Sequence, residues 1–270
     1  MKPKYFAIPY VGWMALFIVI PLVLIVVYAF SNASGGFTLD NFSNMLTYSG
    51  VFGRSFWLAF LATVICILIG YPVAYAIAQE PAHRQRTLML LIMLPMWMNF
   101  LLRTYAWMSL LENTGLINKL LGLIGLPAAH MINTPGAVVL GMVYNFLPFM
   151  ILPINSVIVK IDKNLLEAAQ DLGANKVEIF RRVIFPLSLP GVLSGITMVF
   201  VPSVSTFVIS KLLGGGTDLL LGDLIEMQFL GAAYNPHLGS AISLVMMIIV
   251  MIALYLMNKF GSGEETAVMM

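Results

Sequence analysis

A chain of 270 residues that is 60% hydrophobic and only 10% charged, with a mean hydropathy of +0.94, lies outside the range of water-soluble domains. This is the composition of an integral membrane protein. The net charge of +2 says nothing further about partners, since a surplus of Lys and Arg on the cytoplasmic side is normal for such proteins, and no nucleic-acid partner is expected. The single cysteine, Cys66, falls within a predicted span and excludes both an internal disulfide and a cysteine metal cluster.

In chain order, Lys2 and Lys4 precede a long apolar run with no small-residue cleavage pattern after it, so the run is read as a first span over about 10–30 and not as a signal peptide. The loop SNASGGFTLDNFSNML is turn-rich and carries a short amphipathic stretch from Asn41 to Leu46 that should lie at the interface. Further spans follow at about 55–79, 87–110, 136–157, 188–209 and 238–258, each of the length a hydrocarbon core requires. The fold class is therefore all-α, a polytopic membrane protein of six transmembrane helices. It is read as one domain over 1–270 with a core at about 55–258. Pro21, Pro72, Pro95, Pro148, Pro153, Pro190 and Pro202 fall inside or at the ends of spans, where they kink helices; that suits a moving pathway but is also ordinary in a bilayer.

Between the fourth and fifth spans lies a charged segment, NLLEAAQDLGANKVEIFRRVIFPLSLP, for which a bilayer has no use. Asn164 and Glu167 have capping-box spacing, Gly173 suits a left-handed helix end, and Asn175 and Glu178 repeat the box. Val177, Phe180 and Ile184 then form an apolar stripe that Pro186 is expected to end, with Phe185 disfavoured from helical geometry. Two short helices result, able to bury apolar stripes and present charge to a soluble partner, or simply to stand solvated.

With six spans both termini share a side. Ten of the fourteen basic residues, among them Lys160, Lys163, Lys176, Arg181 and Arg182, fall on the side of this hairpin, which the positive-inside rule makes cytoplasmic. The longest outer loop runs from Ser210 to His237; Gly214, Gly215 and Gly216 break it, and DLIEMQF follows with helical spacing.

The series Glu167, Ala168, Ala169, three residues, Gly173, nine residues, Val183, one residue, Phe185 and Pro186 resembles the EAA motif of binding-protein-dependent ABC importer permeases. The family pattern ends Ile, any residue, Leu, Pro, so Val183 and Phe185 depart from it conservatively. GYPVAYAIA, LPMWMNFLLRTYAW and NTPGAVVLGMVYNFLPFMILPI extend the resemblance across nearly the whole chain and look most like a spermidine/putrescine importer permease subunit. The resemblance implies a type I permease of a bacterial inner membrane. It would be paired with a second related permease, an ATPase dimer and a periplasmic substrate-binding protein. The loop at about 160–187 would couple it to the ATPase. The chain itself would bind no cofactor, ATP and Mg being used by the ATPase; no G-x-x-x-x-G-K-[ST] occurs in it.

A polycationic cargo calls for carboxylates and aromatic faces along the pathway. Asp40, Glu112, Asp218, Asp223 and Glu226 are the outer acids, with Asp223 and Glu226 the best pair, for substrate or for the binding protein. Trp97, Tyr105, Trp107 and Tyr144 are the candidate aromatics, although interfacial Trp and Tyr are ordinary belt residues. Arg103, placed inside the third span, pulls toward an anionic solute such as sulfate, molybdate or an organic anion, or else snorkels or pairs with an acid. An ion-coupled secondary carrier is disfavoured because Arg103 is the only charge placed well inside a span. No H-E-x-x-H or G-x-S-x-G pattern supports an intramembrane enzyme, and His83, His130 and His237 are scattered, so neither catalytic nor metal-ligating residues are expected.

Overall fold

The structure, a computed structural model, describes residues 4–216, 219–231 and 233–268. Among these the chain is helical apart from loops and one antiparallel bridge between Ser31 and Phe37. This is the expected outcome where hydrocarbon offers no partner to a backbone N–H, so that each spanning segment must satisfy its own.

Helix α1 (Lys4–Met14) continues through a π turn (Ala15–Val19) into α2 (Ile20–Ala29), which packs along the last helix. Helix α3 (Asp40–Met45) occupies the predicted amphipathic stretch. Its Asn41 is buried, and Nδ2 donates to the carbonyls of Ala29 and Ser31, both at 3.0 Å. Helix α4 (Ser49–Ala78) is 30 residues long, about 45 Å at the α-helical rise.

The predicted third span over about 87–110 is not one helix. It consists of α5 (Ala82–Met93), a 3₁₀ turn (Leu94–Trp97), α6 (Phe100–Leu111) and α7 (Leu116–Leu123), and the two halves meet at 87°. Pro95 cannot donate into the preceding turn, Met98 is extended at ψ 150°, and Asn99 then starts a new helix by accepting from Leu101 N at 2.8 Å. Among the described residues five helices have the length and apolarity of a span, and counting the bent pair as one makes six.

Helix α8 (Pro135–Ile158) leads into the hairpin, α9 (Lys163–Asp171) and α10 (Lys176–Ile179). A π turn (Phe180–Ile184) then passes directly into α11 (Phe185–Ser205), so Pro186 does not end the helix and Phe185 is helical at φ −61°, ψ −51°. The wider turn, closed by Phe185 N donating to Phe180 O, leaves Pro186 in the first turn of α11, where an N–H is not needed. The fifth span breaks at its far end, where Thr206 is extended at ψ 139°, and the chain resumes as α12 (Val208–Leu213), α13 (Leu221–Leu230) and α14 (Pro236–Val268).

Helices α4, α8 and α11 pack on one another and form the core. Met150 of α8 is fully buried between two glycines: a Cβ on Gly70 would stand 3.0 Å from its Cγ, and one on Gly195 2.6 Å from its Sδ. Lipid supplies no hydrophobic drive between helices, so close approach over small residues is what holds them. Two polar ties reinforce the packing. Asn155 Nδ2 donates to Ala74 O at 3.0 Å, and the Tyr71 hydroxyl meets Ser188 Oγ at 2.7 Å.

Candidate functional sites: the charged hairpin and the opposite polar cluster

The hairpin is built by local signals, one of which differs from expectation. Helix α9 is capped by Asp162, whose Oδ1 accepts from Asn164 N at 2.9 Å, so Asn164 is already helical and Glu167 lies beyond reach of the cap. Asp162 wins because a carboxylate accepts strongly at a helix N-terminus. Glu167 is consequently exposed, and no group among the described residues holds it. At the other end Gly173 takes φ +82°; its N–H bonds to Gln170 O at 2.8 Å, and Ala174 N to Ala169 O at 3.0 Å. These two bonds make a Schellman motif. The second capping box forms as read, with Glu178 N donating to Asn175 Oδ1 at 3.0 Å and Asn175 N to Glu178 Oε2 at 2.9 Å.

The two faces of α9 differ. Leu166 and Ala169 turn toward the core, while Leu165, Ala168 and Leu172 are exposed, Leu172 by 89%. A hollow of about 330 Å³ beside them is lined by Leu172, Gly173, Ala174, Ile179 and Val183 together with the charged Glu178 and Arg182. The exposed side of the hairpin thus sets an apolar ridge next to a hollow with charged side chains at it, both held by local caps. Val183 is half-buried, Phe185 is partly exposed, and Pro186 is half-buried, so this part of the motif forms the root of the hairpin.

That root is gripped by α4. The Phe180 ring meets Tyr75 edge-on at 5.2 Å and Tyr71 at 5.8 Å, and Phe185 lies 5.8 Å from Tyr71. Ser188 Oγ donates to Phe185 O at 2.9 Å, so its contact with Tyr71 is a bond that the tyrosine donates. Sequence reading missed Tyr71, Tyr75 and Ser188. Only the close approach of α4 and α11, which no local pattern announces, brings them to the π turn.

At the opposite end the predicted acids are brought to one place with a lysine that sequence reading did not pair with them. Both oxygens of Glu226 accept from Lys211 Nζ, at 2.8 and 2.7 Å. Asp223, one turn back on α13, is only 5% exposed; its Oδ2 accepts from Leu220 N at 2.9 Å, and its Oδ1 has no hydrogen-bond partner. Burial pushes this carboxyl above the usual range, against the opposing pull of the Leu220 N–H, Ser210 and Lys211. Tyr144 packs on Trp107 edge-on at 5.4 Å, whereas Trp97 is 76% exposed at the bend and Tyr105 is also exposed. Arg103 is 8% exposed, its Nε without a partner and its guanidinium 6.0 Å from the Phe100 ring. No acid among the described residues pairs with it. Asp40 bonds Thr38 locally, Glu112 is exposed at the end of α6, and Asp218 lies outside the described residues. Among the described residues no three His, Cys, Asp or Glu side chains are grouped to hold a metal ion.

Comparison with known proteins agrees with this architecture. Residues 67–259 match the family described as binding-protein-dependent transport system inner membrane component. The chain is 40% identical over 251 residues to the spermidine/putrescine transport system permease protein PotB of Escherichia coli (strain K12), covering 88% of this chain and 90% of that protein. It is 38% identical over 261 residues to the protein of the same name in Haemophilus influenzae, with 92% and 91% covered. Among solved structures, a bacterial ABC transporter involved in the import of the acidic polysaccharide alginate superposes with a TM-score of 0.82 at 15% identity, over 96% of this chain and 94% of that one. The MetNI methionine ABC transporter, in an inward-facing conformation, gives 0.56 at 17% identity, over 84% and 98%. At those identities the structures speak for the fold alone. The family match and the two close relatives establish that the chain belongs to the inner membrane components of binding-protein-dependent transport systems, the permease subunits of type I ABC importers.

Proposed function

We propose that this chain forms half of the translocation pathway of an ATP-driven polyamine importer, carrying spermidine or putrescine delivered by a periplasmic binding protein. The observation behind the cargo is the likeness, at 38–40% identity over nearly the whole length, to permeases whose names specify those amines. The orientation rests on charge: the hairpin and both termini face the cytoplasm because that side collects the Lys and Arg residues.

In this reading α9 is the helix that enters a groove on the ATPase. Leu165, Ala168 and Leu172 supply the apolar contact and Glu167 a free carboxylate, with Gly173 fixing the exit of the chain. Val183, Phe185 and Pro186 form the joint. When two ATPases close on ATP, the docked hairpins approach each other. The π turn, packed on Tyr71 and Tyr75, passes that displacement into α11 and α4 together, a rigid-body switch between two packed arrangements. Hydrolysis stays with the partner, and this chain contributes mechanics and a lining. Asp223, Glu226, Trp97 and Tyr144 are assigned to the pathway or to the binding-protein contact, and Arg103 to the bend of the third span, where a buried cation sets the local field.

The test is ATP-driven uptake by proteoliposomes containing the complex that co-purifies with this chain, given spermidine, putrescine or sulfate. Uptake of the two amines that stops without ATP supports the proposal. Uptake of sulfate alone would overturn the cargo, and amine uptake driven by an ion gradient without ATP would overturn the class.

A further inference from the structure

A second polar hollow lies between the end of α6, the end of α12 and the segment before α8, with a volume of about 350 Å³. We propose that it seats one primary ammonium group with its methylene stem, and so receives one end of a polyamine before the chain enters the pathway. This rests on the polyamine reading above.

The lining divides into two chemistries. Glu112, Asn113, Thr114 and Asn133 supply a carboxylate, two amides and a hydroxyl, while Met108, Ile132 and Leu212 supply an apolar wall. No Lys or Arg lines it, so an anion entering would meet Glu112 without compensation. An ammonium has three donors and no acceptor, and matches a carboxylate flanked by amide and hydroxyl oxygens. The carboxylate is available: no described group bonds it, because the Glu112 contacts are made by its carbonyl, to Gly115 N at 2.8 Å and Asn118 Nδ2 at 3.2 Å. The hollow also sits at the C-terminal end of α6, where the helix presents its partial negative charge. A volume near the lower limit for small-molecule sites suits one extended amine terminus.

The walls are fixed in advance. Asn118, buried, holds both sides of the loop: besides the Glu112 carbonyl it bonds Ala129 O at 3.0 Å and accepts from Ala129 N at 2.8 Å. His130 Nδ1 meets Asn113 Oδ1 at 3.1 Å. Asn133 is the one described non-glycine residue at positive φ, +58°, and its N–H is held by Leu213 O at 2.9 Å. Asn is one of the few side chains that adopts this left-handed backbone readily, and the bond to Leu213 fixes it at the rim of the hollow. An outer position follows from the chain path, since this end of α8 is opposite the hairpin.

The experiment uses the intact co-purified importer in nanodiscs, labelled with an aryl-azide derivative of spermidine and mapped by peptide mass spectrometry. The expected result is label within 108–114 and 131–134, removed by excess spermidine and untouched by sulfate. Glu112→Gln should cut that label and raise the KM for spermidine uptake about tenfold with little change in maximal rate, while Glu112→Asp retains much of both. Label elsewhere, in a preparation that still takes up spermidine, overturns the seat and leaves the polyamine reading standing. Glu112→Gln that weakens only the Kd of the binding protein, with label and KM unchanged, assigns the hollow to protein docking and also overturns it. Failure of the unmodified complex to transport any polyamine removes the reading on which the seat depends.

Discussion

Of the prolines in the apolar helical runs of this chain, Pro95 and Pro186 end differently. At Pro95 the third span breaks and turns by 87°; at Pro186 the fifth span continues through a π turn. Around Pro95 the chain has somewhere else to go: Asn99 is ready to cap a new helix, and Trp97 is left exposed at the corner. Around Pro186 it does not, because Phe180, Phe185 and Ser188 are held by Tyr71 and Tyr75 across the helix interface. A proline brings no N–H donor in either place. Whether it also bends the chain depends on what its neighbours can bond to instead.

If the gripped joint is a transmission element and the bend a fixed corner, variants at the two should separate coupling from folding. The largest effect is expected at Gly173→Val, below the joint. A β-branched residue at φ +82° carries a penalty of about 2 kcal/mol or more, which in docking free energy weakens ATPase attachment more than about tenfold. Co-purification of the ATPase should fall and uptake with it, while the membrane part stays folded by detergent gel filtration. Full uptake by this variant would dissociate the hairpin from coupling.

Asn99→Leu comes next. Loss of the cap should destabilise the bend by about 1 kcal/mol and lower the Tm of the purified complex, with the ATPase still attached. An unchanged Tm would mean that Pro95 and the surrounding packing set the corner alone. Tyr71→Phe removes one buried hydroxyl partner but keeps the ring, so a loss of about 1 kcal/mol or less is expected. Its diagnostic readout is the ratio of ATP hydrolysed to amine transported, which should rise. A ratio equal to the parent's would make the joint structural only.

The smallest effect is expected at Asp223, on α13. Its carboxyl is raised by burial, so the folded state keeps the proton to higher pH than the unfolded chain does. Stability is then fullest below the ordinary carboxylate value, about 3.9, and declines as pH rises through the elevated one. Asp223→Asn should have a slightly higher Tm than the parent at neutral pH and lose that advantage near pH 4. An advantage independent of pH would show that charge burial is not its source.

Much of the hairpin was legible because its instructions are short-range. Asn175, Glu178 and Gly173 act on groups within three residues of themselves, and all three do what their spacing announced. The first cap was misread for the same local reason, since Asp162 stands two residues before Asn164 and is the stronger acceptor. The opposite end was legible only in outline. Asp223 and Glu226 were recognisable as a pair on one face, but Lys211 meets Glu226 across fifteen residues of chain. Nothing in periodicity reports such a contact.

The sequence by itself determined the solvent, the number of spans and the helical hairpin between the fourth and fifth, since these follow from apolar length, charge placement and caps that act over one turn of helix. Tertiary structure decided the rest: which proline bends its helix, which carboxylate is paired and which is buried, and how Met150 fits between Gly70 and Gly195. The physical reason is range. A cap or an apolar run acts on neighbours in the chain, whereas the choice between a bend and a π turn, or between a free and a bonded carboxylate, is made by groups that meet only after the helices have packed.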